Sequence, residues 1–104
     1  MTLSEEGQMA THDLRLEAEL FGSIFSLEVT VEGEKVDLHA ENGKLVKNLP
    51  NFPVTNPLTL FLRAKGINGA ECRVDVFSDD HALAPPLACT IKNGVAQVLQ
   101  DYHV

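Results

Sequence analysis

The feature that most constrains this chain is a period of two. From Leu58 to Ser78 the residues Leu58, Leu60, Leu62 and Ala64, then Ala70, Cys72, Val74 and Val76, alternate with Thr59, Phe61, Arg63, Lys65, Glu71, Arg73 and Asp75. Successive side chains of a strand point to opposite faces, so this pattern predicts strands with one buried face. The segment Gly66-Ile67-Asn68-Gly69 between them predicts a hairpin, with Gly69 at a bulge. Charge suggests its register. Pairing Arg63 with Glu71 sets Phe61 opposite Arg73, whereas a slip of two residues would oppose Arg63 and Arg73. As the most apolar hairpin of the chain, it is expected at the centre of the fold.

The same alternation runs through most of the sequence. Leu14 to Leu20 and Phe25 to Val31 flank Gly22-Ser23, a Gly-first pair that suits a type II′ hairpin turn and would pair Leu20 with Phe25 and Leu16 with Val29. Gly33-Glu34 predicts a second turn, pairing Val31 with Val36. Asn42-Gly43 predicts a third, of type I′, setting Glu41 opposite Lys44. Residues 44–48 read as a short edge strand in which an inward Lys47 blocks edge-to-edge association. Pro50, Pro53 and Pro57 argue against a central strand over residues 49–57 and predict an extended passage between sheets. Residues 78–86 read as a loop, and Leu87 to Tyr102 as a last hairpin turning at Asn93-Gly94.

About eight short strands with tight turns and no helical pattern predict an all-β fold. The expected architecture is a single antiparallel β-sandwich, immunoglobulin-like in its layering, and the alternative is a small eight-stranded barrel. The buried Trp of true immunoglobulin domains has no counterpart, because the chain contains no Trp. Residues 1–11 are expected to form a flexible arm and residues 12–104 the domain. At 104 residues the chain is large enough for its own core. Leu16, Val29, Leu38, Leu62, Val74 and Ile91 are the expected core positions.

Composition bears mainly on partners. The net charge is −7, with ten Asp and Glu against four Lys and Arg in residues 1–57, and five against four in residues 58–104. Such a surface repels nucleic acid and anionic membranes, so neither is an expected partner. No apolar run approaches the length of a membrane span, and the N-terminus lacks a basic, then apolar, leader pattern, which together predict a cytoplasmic protein. Cys72 and Cys89 lack CxxC spacing and read as free core thiols on different hairpins. A bridge would require their strands to be neighbours in a suitable register.

The expected registers place Glu17 beside Glu28 and Glu28 beside His39, an outward row of two carboxylates and an imidazole. Facing carboxylates repel, so the row would favour a basic protein partner, and Glu28→Gln would raise stability by relieving the repulsion. Asp79, Asp80 and His81 form the other polar cluster, which turn chemistry accounts for. These six residues are the candidate binding positions. Two carboxylates and an imidazole suit a divalent transition metal, but a flat solvated face gives poor metal geometry, so no metal or cofactor is expected. The chain lacks GxSxG, GxGxxG and a phosphate-binding glycine loop, so no catalytic residue is assigned and the protein is expected not to be an enzyme.

Three functions fit these observations. The first is a non-catalytic module that binds another protein. The second is an acidic inhibitor or immunity-type protein that blocks a basic site on its target. The third is a small-ligand or carbohydrate-binding module, for which only Phe61, Phe77 and Tyr102 are expected to offer outward aromatic surface.

Overall fold

The computed structural model describes residues 10–104. Nine strands form two antiparallel sheets: β1 (Ala10–Phe21), β2 (Ile24–Val31), β3 (Glu34–Val36), β4 (His39–Glu41), β5 (Lys44–Val54), β6 (Leu58–Gly66), β7 (Glu71–Ser78), β8 (His81–Thr90) and β9 (Val95–Tyr102). One sheet has the order β4-β5-β1-β7-β8 and the other β3-β2-β6-β9. This is a β-sandwich, and the two separate strand orders set the barrel aside. The layering is shared with immunoglobulin domains but the connectivity is not, because β1 and β2 lie in different sheets whereas the first two immunoglobulin strands are neighbours. β1 begins at Ala10, and Ala10 and Thr11 pair with Val54 and Pro53 of β5. Residues 1–9 lie outside the described residues.

The inward phase of the alternation makes the core. Leu14, Leu16 and Ala18 of β1, with Cys72, Val74 and Val76 of β7, face Val29 and Val31 of β2 and Leu58, Leu60, Leu62 and Ala64 of β6. Five of the six expected core residues are buried, and Leu38 is partly buried against the same cluster.

The strand partners differ from those expected. β6 and β7 do not pair with each other: β6 pairs with β2 and β9, and β7 with β1 and β8. Likewise β1 pairs with β5 and β7, and β8 and β9 belong to opposite sheets. The turns at Gly22-Ser23, 66–69 and Asn93-Gly94 are tight, as expected, but each carries the chain across the sandwich; Asn93-Gly94 closes the expected Lys92–Val95 bridge, and the ladder stops there. The physical reason is that alternation fixes only which face is apolar. Two such strands bury that face equally well side by side in one sheet or opposed across a core.

The expected third strand is two strands in different sheets, β3 and β4, because the chain changes sheet at Asp37 and Leu38. The turn before it is Glu32-Gly33, both at positive φ, pairing Val31 with Glu34 and Val29 with Val36. This differs from the expected register by two residues, which leaves every side chain on its expected face. Asn42-Gly43 does set Glu41 opposite Lys44.

β5 runs on through Pro50 and Pro53 to Val54, paired with β1, so the proline passage shrinks to Thr55, Asn56 and Pro57. These prolines are tolerated because β4 covers only Lys44–Val46, leaving the rest of that flank open. At Lys44–Val46, β5 is internal rather than an edge. Lys47 does lie on the inward phase, opposite Leu16. Residues 81–86 are strand rather than loop, joined to β7 by the turn Asp79-Asp80. Cys72 and Cys89, expected on different hairpins, are direct partners within this one.

Candidate functional site

The expected acidic row does not form. Glu17 lies on β1 opposite Val46 and Asp75, while Glu28 lies on β2 in the other sheet, opposite Arg63. Glu17 and His39 do share the outer face of the five-stranded sheet, but Val46 stands between them. Instead of repelling one another, the carboxylates are met by cations. Arg15 Nε donates to Glu17 Oε2 at 2.8 Å, Arg15 Nη2 to Glu41 Oε1 at 3.1 Å and Arg15 Nη1 to Asn48 Oδ1 at 2.9 Å. Lys44 Nζ donates to Glu17 Oε1 at 3.3 Å. The Arg15 hydrogen bond is the main cause holding the Glu17 carboxyl below its ordinary value, with Lys44 adding to it. His39 Nε2 stands 3.8 Å from Glu41 Oε2.

This network surrounds Val46, which is buried although it points away from the main core. The outer face at this point is therefore a closed lattice of ion pairs over an apolar residue. Glu28, on the other sheet, has Lys35 Nζ at 3.5 Å. The expected repulsion between Glu17 and Glu28 is absent, and each carboxylate meets a cation instead.

Asp79, Asp80 and His81 lie at the β7–β8 turn. Asp79 Oδ1 accepts from the Asp13 backbone N–H at 2.9 Å, and Asp79 Oδ2 is 2.8 Å from His12 Nδ1. The Asp79 N–H in turn donates to the Asp13 carbonyl at 2.9 Å. Asp13 Oδ1 accepts from the Asn51 N–H at 2.9 Å, next to the irregularity in the β1–β5 register. The Asp79 carboxylate thus ties the turn to β1, and the Asp13 carboxylate ties β1 to β5. The Asp13 amide, then His12, hold the Asp79 carboxyl below its ordinary value. Among the described residues, no group of three or more His, Cys, Asp or Glu is placed to hold a metal ion.

A different surface stands out at the end of the sandwich where three crossings meet. Ile67 N–H donates to the Ser23 carbonyl at 2.9 Å, Gly66 N–H to Gly94 at 3.1 Å and Gly69 N–H to Ile91 at 3.0 Å. These bonds bind the β1–β2, β6–β7 and β8–β9 turns into one unit. Around it Leu20, Phe21, Phe25 and Ile67 are 37%, 51%, 71% and 55% exposed. Beside them a cleft of about 320 Å³ opens between the sheets, lined by Leu20, Ile24, Phe25, Val36, Leu38 and Leu45 and edged by Lys35 and Asp37. It exists because β3 pairs only with Val29–Val31 and the chain then leaves for the other sheet, so among the described residues no strand pairs with β2 before Val29 on that side.

No family model matches this chain, and neither a curated protein nor a solved structure is significantly similar to it. The reading of its function therefore rests on its own residues. Among the described residues, no helix is long and apolar enough to cross a membrane.

The apolar end escaped the reading of the sequence because Phe25 fits the alternation as an inward residue. The register of β2 on β6 shifts between Ile24 and Ser26, making Phe25 the extra residue of a bulge and releasing its ring. The expected outward aromatics differ as well. Phe61 and Phe77 are half-buried, and Tyr102 is buried with its hydroxyl donating to the Pro85 carbonyl. Burial pushes the Tyr102 phenol up to about 12, with the Asp75 charge adding to it.

Proposed function

We propose that this protein is a non-catalytic interaction module that binds another protein through its apolar end. One observation carries this reading: among the described residues, four of the five large apolar side chains left exposed, Leu20, Phe21, Phe25 and Ile67, gather where the crossing turns meet. Contiguous apolar surface with a polar rim costs solubility and is a mark of protein contact sites. Aromatic anchors beside a preformed cleft carry most of the energy in such contacts. The acidic-inhibitor reading draws less support, because Glu17 and Glu41 are engaged by Arg15 and Lys44 and offer a basic target a neutralised face.

The test is affinity capture from the native host, followed by titration of the captured protein against variants of this chain. Phe25→Ser combined with Ile67→Ser is expected to weaken the complex by about 2 kcal/mol or more, roughly thirtyfold in Kd. Glu17→Gln is expected to leave it unchanged. Loss of affinity with Glu17→Gln and with added salt, together with indifference to the apolar substitutions, would transfer the contact to the acidic face.

A further inference from the structure

Cys72 and Cys89 face each other directly on β7 and β8, with their side chains on the inner face of the five-stranded sheet. The Ile91 N–H donates to the Ala70 carbonyl at 2.8 Å, and counting two residues along each strand from that bond places the two cysteines at a hydrogen-bonded position of the ladder. Facing Cα atoms there stand about 5.5 Å apart, and about 4.5 Å at the alternate positions. Either spacing falls within the range of roughly 4.4–6.8 Å that a disulfide spans. We propose that Cys72 and Cys89 form a dithiol–disulfide site, adjoining Leu20 and Phe21 of the apolar end, that reacts with small-molecule disulfides of the glutathione class.

The two thiols differ in access, and this sets their roles. β8 is the edge strand of its sheet and Cys89 is partly exposed, whereas Cys72 is 1% exposed in the core. Burial and then the nearby Cys89 push the Cys72 thiol up to about 12, and burial also raises Cys89. Cys89 is therefore the entry thiol. Its thiolate attacks one sulfur of glutathione disulfide, breaking that S–S bond and releasing one glutathione thiolate, which takes up a proton. The Cys72 thiol then gives up its proton, and its sulfur attacks Cys89 Sγ and expels the second glutathione as thiolate. Two protein thiols are oxidised to one disulfide, and one glutathione disulfide is reduced to two glutathiones. The raised thiols make exchange slow, because the thiolate is the attacking form. Once formed, the bond closes the segment between the two cysteines and restricts the unfolded chain.

The experiment uses the full native chain, equilibrated in glutathione buffers of increasing oxidised fraction, quenched with acid, unfolded, alkylated and weighed intact. The expected product is a monomer lighter by two hydrogens that takes up no alkyl group and melts at a higher temperature. Cys72→Ala is expected to accumulate a single glutathione adduct at Cys89, and Cys89→Ala to leave Cys72 unmodified while folded. The wild-type mass decides the matter if either variant folds poorly. Two alkylatable thiols at every ratio, oxidation confined to disulfide-linked dimers, or bridging that requires denaturant would each overturn the proposal.

Discussion

Gly66→Ala tests the packing of the crossing end. Gly66 closes β6, pairs with Ile24, and donates its N–H to Gly94. A methyl group built at this position falls inside contact distance of the Ser23 carbonyl oxygen and 3.1 Å from Ile24 Cα. Both are backbone atoms, so no side chain can rotate away. Relief requires moving the β1–β2 turn off β6, which stretches the bond from Ile67 N–H to Ser23. Backbone displacement by an overpacked methyl costs about 1–3 kcal/mol, and loss of one hydrogen bond about 1 kcal/mol. Restricting the unfolded chain returns about 0.4–1 kcal/mol. The net expectation is a loss of roughly 2–3 kcal/mol, read as a lower urea midpoint with an unchanged slope and a fall in Tm of roughly 10 °C or more. Gly66→Val should lose more than Gly66→Ala. At Gly33, where φ is +82° and no atom lies within 4 Å, the cost is backbone strain alone, so Ala and Leu there should cost the same. Stability at or above wild type for Gly66→Ala would mean that the two turns are not packed together as described.

Two further outcomes follow from the polar groups. Glu28→Gln should lower stability by up to about 0.5 kcal/mol or leave it unchanged, because Glu28 meets Lys35 and Arg63 rather than Glu17; a gain in a denaturant melt would restore the repulsive row. The folded Asp79 carboxyl lies below its ordinary value of 3.8, so the stability it contributes is present above that value and is lost as pH falls through the folded pKa. Asp79→Asn should therefore melt below wild type at neutral pH, and the gap should close on acidification below pH 3.8. A gap constant across that range would show that the hydrogen bonds from Asp13 and His12 do not depend on the charge.

The sequence made the strands and their faces legible, because Leu16, Val29, Leu62 and Val74 each obey a period that a buried face imposes. It did not make partners legible. A tight turn such as Gly22-Ser23 is equally good chemistry for a hairpin and for a crossing, and the choice is made by long-range packing that no local signal encodes. Glu17 and Glu28 repel only if β1 and β2 are neighbours, and the two strands lie in different sheets. Asn42-Gly43 succeeded because β4 and β5 do form a hairpin, and the turn then fixes the register. Phe25 was misplaced by a single bulge, a defect in the alternation that occupies no more than one residue.

The repeated crossing between sheets also bears on how the chain finds its structure. Only β2–β3, β4–β5 and β7–β8 join ladder partners through a turn, whereas β1–β5, β1–β7, β2–β6 and β6–β9 join segments far apart in the sequence. Both sheets depend on those distant ladders, so the chain must close large loops before most of its backbone pairing is rewarded. Folding is then governed by a search over non-local contacts, on the millisecond-to-second scale typical of all-β sandwiches. During that search the unpaired flank of β2 and the Phe25 bulge are open to other chains. The surface proposed for recognition in the finished protein is thus also where newly made copies would adhere to one another.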